Sequence, residues 1–367
     1  MEKKREIFEK VLSLVRCELW GEPLSCAIPA EEIEEILKVA KEQAVSGLVA
    51  NAIIRNHLPI GEDLTMEVCA VQKMHEKKNS SMNAEVAKFA GFLNRRNLKY
   101  VVMKGQTMAA LYPNPLMRTT GDIDFYCPEE SFQKTQQAIE ERLGIVMKHN
   151  GSKKHDNFNI EGFSFEMHSD VTDFGYFGYQ RYWKRHIEAA IKADSTDVEI
   201  AGEKVKTLSP TMDALYIFLH AFYHLILNGN GMGLKQYCDW CMVMSRLHEK
   251  IDFVTLEKHL KALGLRKAYD AIGAFCAGKL GLPEEKLHFQ LSDEAKTWAD
   301  KILSNFLEIR EISKSLFTSR GVSVKHSLAT FRIVVRQIRT YFRLTPVELT
   351  FRIPEMAVWS VKKRFIS

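Results

Sequence analysis

Two aspartates, Asp122 and Asp124, sit in the run Gly121-Asp122-Ile123-Asp124-Phe125-Tyr126. Aspartate is depleted in strands, yet here it alternates with apolar residues at the strand period. That period points both carboxylates to one face and Ile123 and Phe125 to the other. Spaced roughly 7 Å along the backbone, the carboxylates repel, and each resists ionising without a counter-charge. A divalent cation removes the conflict. Hard oxygen ligands suit Mg2+, which keeps waters and substrate phosphates in its shell. The plainer alternative is two exposed aspartates on an edge strand.

Neighbouring residues add to the acidic pair. Upstream, the apolar run ending at Met103 leads into Lys104-Gly105. A glycine after a strand lets backbone approach a phosphate, and Lys104 brings charge there, or is simply a strand-end lysine. Arg118 lies in the loop before Asp122. It either clamps phosphate with two hydrogen bonds or pairs with Asp122 or Asp124. Downstream, Phe163-Ser164-Phe165-Glu166-Met167-His168 alternates again. Glu166 is an acid in an otherwise apolar strand, and His168 points the same way. Three carboxylates with two cations suit in-line displacement at phosphorus. A carboxylate left free can take the proton of an attacking hydroxyl.

The elements that must position these residues follow from the apolar pattern. Residues 1–97 read as helices, with i, i+3, i+4, i+7 spacing at Val86, Phe89, Ala90 and Leu93. Short β-branched runs at 99–103 and 121–127 read as strands, a brief helix fits 106–112, and a longer one fits 129–142. Strand-like pieces follow at 144–148, 157–160 and 163–168, within a strand-rich island over about 98–208. Ser209-Pro210 opens a long helix, and helical pattern continues to the end of the chain. The expected fold class is α+β: a small mixed-sheet core (85–208) between an N-terminal helical region (1–84) and a C-terminal helical domain with a basic tail (209–367).

These residues carry a family resemblance. A strand ending in glycine, then a DxD strand, then a third acid on a later strand resembles the polymerase-beta-like nucleotidyltransferase superfamily. More narrowly, VVMKGQTMAALYPNPLMRTTGDIDFYC is similar to an uncharacterised bacterial nucleotidyltransferase family, with further matches at 165–171, 208–224 and 234–244. The resemblance implies Mg2+-dependent transfer of a nucleoside monophosphate from an NTP to a hydroxyl or phosphate acceptor, with Mn2+ as the other candidate metal. It casts Asp122, Asp124 and Glu166 as metal-binding and catalytic residues. Lys104, Gly105 and Arg118 fall against the triphosphate, and Gly121 and His168 complete the expected nucleotide-binding set. Gln106 follows Gly105 where the wider superfamily has Gly or Ser, and the gap to Asp122 is longer. The alternative is a catalytically inactive nucleotide- or partner-binding protein on the same fold.

Composition sets the frame. The 367 residues are 46% hydrophobic and 26% charged, which excludes wholesale disorder. No apolar run reaches about 18 residues, so a membrane span is not expected. The start reads as an amphipathic helix and not as a signal peptide, and the seven cysteines as reduced thiols, so the expected location is cytoplasmic. Cys238-x-x-Cys241 lacks a second pair, and His220 with His224 gives two ligands at i and i+4. Neither closes a zinc set. Asp239, amid apolar residues, is expected to pair helices. The net charge of +5 is uneven. Residues 320–367 hold ten Lys/Arg and two Asp/Glu, leaving 41 bases and 44 acids elsewhere. Arg332, Arg336, Arg339 and Arg343 make one basic helix face, opposite Phe331, Val335, Ile338 and Phe342. Such a tail can meet nucleic acid or a membrane surface, but docking on a core is the commoner fate of an amphipathic helix.

Overall fold

The structure, a computed structural model, describes residues 2–149, 155–227, 233–317 and 324–353. Seven strands form one mixed sheet: β1 (Val101–Val102), β2 (Ile123–Tyr126), β3 (Lys148–His149), β4 (His155–Ile160), β5 (Phe163–His168), β6 (Ser195–Ile200) and β7 (Glu203–Leu208). Their order is β3-β4-β5-β2-β1-β7-β6. β2 runs parallel to β5, and β1 parallel to β7; the other pairs are antiparallel. β4–β5 and β6–β7 are tight hairpins. Their turns, Glu161-Gly162 and Ala201-Gly202, have positive φ at both positions, the geometry that follows the twist of paired strands. The fold is thus α+β, a mixed sheet flanked by helices.

Before the sheet come α1 (Glu2–Trp20), α2 (Ile33–Glu42), α3 (Ser46–Arg55) and α4 (Glu62–Arg95). Between strands lie α5 (Gln106–Ala109), α6 (Glu129–Leu143), α7 (Phe177–Tyr182), a π-helical turn and α8 (Ala189–Ala193). After it come α9 (Pro210–Leu227), α10 (Leu234–Arg246), α11 (Phe253–Ala262), α12 (Arg266–Leu280), α13 (Asp293–Phe317) and α14 (Val324–Tyr341). Ser209 starts α9 as expected, its carbonyl accepting from Asp213 N at 2.8 Å. α4 is one helix of 34 residues and runs through the position expected to divide two regions.

Strand alternation sends the two sheet faces to different cores. Val102, Ile123, Phe125, Phe165 and Met167 join α4 residues Val86, Phe89 and Leu93 in a small core. Phe89 is its hub, with ring centroids 5.1 Å from Phe125 and 4.9 Å from Phe165. Burying one such ring stabilises by about 1.5–3 kcal/mol. The other face contributes Val101, Tyr126 and Leu208 to a large core built by both helical regions. There Trp20 Nε1 donates to Leu280 O at 2.5 Å and Arg16 Nη1 to Lys279 O at 3.0 Å, tying α1 to the end of α12. Phe174 and Trp183 pack into this core, as do the thiols of Cys238, Cys241 and Cys276.

α14 docks through Val334, Ile338 and Tyr341, while Arg336, Arg339 and Arg343 are exposed. The buried stripe is displaced from the expected one: Val335 is half-buried and Phe342 exposed. The side chains of Phe331 and Arg332 lie outside the described residues. Among the described residues no helix is long and apolar enough to cross a membrane.

Candidate active site

Asp124 on β2 stands directly opposite Glu166 on β5, and Tyr126 opposite His168. Parallel register puts opposed residues on one face, so Asp124, Glu166 and His168 converge from two adjacent strands. Ile123 and Phe165, one residue earlier, fix the strands from behind. A slip of one residue would turn the acids into the small core, so the aromatic packing sets the site's register.

Asp124 is the buried centre, 3% exposed. His168 Nε2 is 3.0 Å from its Oδ1, and Lys104 Nζ is 3.1 Å from its Oδ2. His168 Nε2 also lies 3.6 Å from Glu166 Oε2, and Asn157 Nδ2 donates to Glu166 Oε1 at 3.4 Å. Burial works against the Asp124 charge, but Lys104 and His168 outweigh it and hold the carboxyl below its usual range. Burial likewise opposes protonation of His168, yet hydrogen bonds to Asp124 and Glu166 push it up to about 9. Lys104 shows the same contest: burial lowers it, and Asp124, Tyr216 and Asp122 raise it further. Two carboxylates are therefore balanced by two cations.

These groups form one wall of a cleft of about 510 Å³. The facing wall is α9, through Tyr216, Leu219, His220, Tyr223, His224 and Leu227. The His220 and His224 rings are 4.4 Å apart. Burial first, then the charges of Lys104 and Lys235, lower both imidazoles, His224 to about 4. At neutral pH this wall presents uncharged rings. Tyr216 and Tyr223 were not singled out by sequence reasoning. The signal was a polar-aromatic stripe at i, i+4, i+7 and i+8 on an otherwise apolar helix.

The structure brings together Lys104, Asp124, Glu166 and His168 from the expected set. Gly105 forms the turn out of β1 at φ +87°, beside the carbonyl of Asp122. Asp122 precedes β2, half-buried, and Gly121 is exposed. Arg118, expected against a triphosphate, lies elsewhere. It is 3% exposed and clamps Asp239 on α10, with Nε to Oδ1 at 2.6 Å and Nη2 to Oδ2 at 2.7 Å. Tyr112 donates to the same carboxylate at 2.7 Å, and Asn79 Nδ2 donates to Arg118 O at 2.9 Å. Asp239 is buried on α10 as expected, but it does not pair helices: its partners, Arg118 and Tyr112, lie in the connection before β2.

The donor set suits a divalent cation. Ligand atoms of Asp124, Glu166 and His168 all lie within 4.8 Å of one another, and among the described residues no other group of three such side chains does so. Asp122, expected among the ligands, is outside this trio, and an imidazole stands within it. Carboxylate oxygens suit Mg2+, whereas an added imidazole extends the choice to Mn2+ and later metals.

A mixed sheet with paired acids over a cleft and a lysine at their side defines an α+β protein with a cation-compatible acidic centre. The chain belongs to the uncharacterised nucleotidyltransferase family, whose pattern matches residues 29–281. It is similar to a solved structure, an antigenic nucleotidyltransferase-like protein from Paracoccidioides brasiliensis. Identity there is 16%, the TM-score is 0.33, and the match covers 56% of this chain and 96% of that one. No curated protein matches the chain in sequence.

Proposed function

We propose that the protein is a divalent-cation-dependent nucleotidyltransferase. It moves a nucleoside monophosphate from an NTP to a hydroxyl or phosphate acceptor, with Mg2+ as the working metal and Mn2+ as a substitute. The observation that carries this reading is the Asp124–Glu166 register across two parallel strands, with Lys104 at Asp124.

Asp124 and Glu166 would hold the cation, with Asp122 at the entry of β2 and His168 beside them. A bound divalent cation offsets phosphate charge and activates phosphorus toward in-line attack. Lys104, ion-paired to Asp124, keeps a positive charge at the floor of the cleft, where a polyphosphate is attracted. As a third ligand His168 would have to be neutral, so its proton would leave when the cation is held there. The uncharged rings of α9 keep the facing wall open to a nucleobase or acceptor. Seven cysteines without a disulfide fit a reducing compartment such as the cytoplasm.

A second reading, nucleotide or partner binding without turnover, has one observation in its favour. Arg118 is buried, spends its guanidinium on Asp239 and does not line the cleft.

The test is calorimetric titration of ATP, GTP, CTP and UTP, with Mg2+, with Mn2+ and with neither. Wild type and Asp124→Asn are compared, followed by an acceptor screen with the preferred nucleotide. Cation-dependent binding weakened at least about tenfold in the variant, about 1.4 kcal/mol, is expected. Binding that ignores both cation and variant would sink the proposal. Cation-dependent binding without transfer to any acceptor would favour the second reading.

A further inference from the structure

Three cations surround the loop that carries Gly121 and Asp122, and two of them have counter-charges. Lys104 sits on Asp124, and Arg118 sits on Asp239. Lys235 differs. Among the described residues no carboxylate is in ion-pair contact with its ammonium; Asp239 and Asp122 act on it only through space.

The fold nevertheless fixes where Lys235 stands. It is in the first turn of α10, where its backbone N donates to Gln43 O at 3.4 Å. A Cβ on the preceding Gly233 would stand 2.7 Å from that same carbonyl, so only glycine allows α10 to start this close to the end of α2. The side chain is half-buried and reaches Gly121, its Nζ 3.4 Å from the place a Cβ would occupy there. Gly121 is exposed, and lacking a side chain it leaves the space before the ammonium open. Lys235 does not line the cleft, but it stands near enough for its charge to act on both His220 and His224 of the cleft wall.

A half-buried lysine among like charges is unfavourable without an anion. Burial first, then Arg118, push the Lys235 ammonium down to about 8, against a weaker pull from Asp239. A phosphate oxygen is the counter-charge this arrangement lacks, and lysine meets phosphate as a compact point charge with three donors.

We infer that Lys235 is the phosphate-receiving residue of this centre, taking the oxygens of a di- or triphosphate in front of Gly121 while the acids of β2 and β5 serve its cation. The inference rests on the nucleotidyltransferase reading and gives Lys235 the contact that the sequence assigned to Arg118.

Sodium tripolyphosphate, orthophosphate and the preferred NTP, each with and without Mg2+, are titrated into the full chain. Wild type is compared with Lys235→Met and Lys235→Arg, and thermal unfolding is recorded without ligand. Lys235→Met should weaken tripolyphosphate and NTP at least tenfold, and Lys235→Arg should retain most of the affinity. The ligand-free Lys235→Met protein should be at least as stable as wild type, because it loses an uncompensated charge. Tripolyphosphate and NTP weakened together identify a polyphosphate contact. Unchanged tripolyphosphate affinity in Lys235→Met overturns the inference, as does wild type binding orthophosphate as tightly as tripolyphosphate. So does a ligand-free Lys235→Met protein that is less stable than wild type, which would make the lysine structural. If the Lys235 effect persists while wild-type binding ignores Mg2+, the cation reading falls and this one stands.

Discussion

Arg118 and Asp239, 121 positions apart in the chain, meet through two parallel hydrogen bonds of 2.6 and 2.7 Å. The pair is buried, and it fastens the loop before β2 to α10, which also carries Lys235. Burial opposes the Arg118 charge, but Asp239 and the Tyr112 hydroxyl outweigh it, so the guanidinium stays protonated. Asp239→Ala would leave a buried cation unpaired, a change that costs about 3–5 kcal/mol. Removing both charges, as Arg118→Met with Asp239→Leu, should restore most of that loss. Chemical denaturation of the two variants checks this; equal stability of Asp239→Ala and wild type would contradict it.

His168 makes the site sensitive to pH. Its folded pKa is pushed up to about 9, against about 6.5 in an unfolded chain. The folded state therefore binds the proton more tightly. The stabilisation is complete below pH 6.5 and fades as pH rises toward 9. Its ceiling is on the order of 3 kcal/mol. Above pH 8 the depressed Lys235 acts in the opposite sense, as do the depressed His220 and His224 below about pH 7.5, so the clean window is about pH 7.5 to 8. Stability without added cation should fall across that window, and His168→Gln should remove the slope. At pH 7.5, cation binding should release close to one proton, read by calorimetry in two buffers of different ionisation enthalpy. No release would place the cation away from His168.

Gly105 holds φ +87° and ψ −120°, a combination open to glycine and closed to other L-residues. Gly105→Ala should cost about 1–3 kcal/mol through backbone strain. It should also shift Lys104, the next residue back, from its place on Asp124. Nucleotide binding should then fall more than the loss of stability explains. An alanine variant with wild-type stability and affinity would show that the turn relaxes freely.

The acids were legible in the sequence because strand geometry is local. Alternation in Asp122–Phe125 and Phe163–His168 fixes which face each side chain takes, and that face proved to be shared by Asp124, Glu166 and His168. The destination of Arg118 was not legible. It depends on where α10 docks, and nothing within a few residues of Arg118 encodes Asp239. Lys235 was missed for the same reason, since its neighbour Gly121 is distant in the chain. The β6–β7 hairpin was only part of a strand-rich span, because charged residues alternate along both of its strands. Helical periodicity showed buried faces at both ends of the chain but not that they face each other.

The two-faced sheet also limits how the molecule can be divided. Val101, Tyr126 and Leu208 on the acidic side are covered by helices from both ends of the chain. The strand-rich island cannot then serve as a portable cassette: lifted out, it would carry its chemistry on an unroofed, water-wet floor.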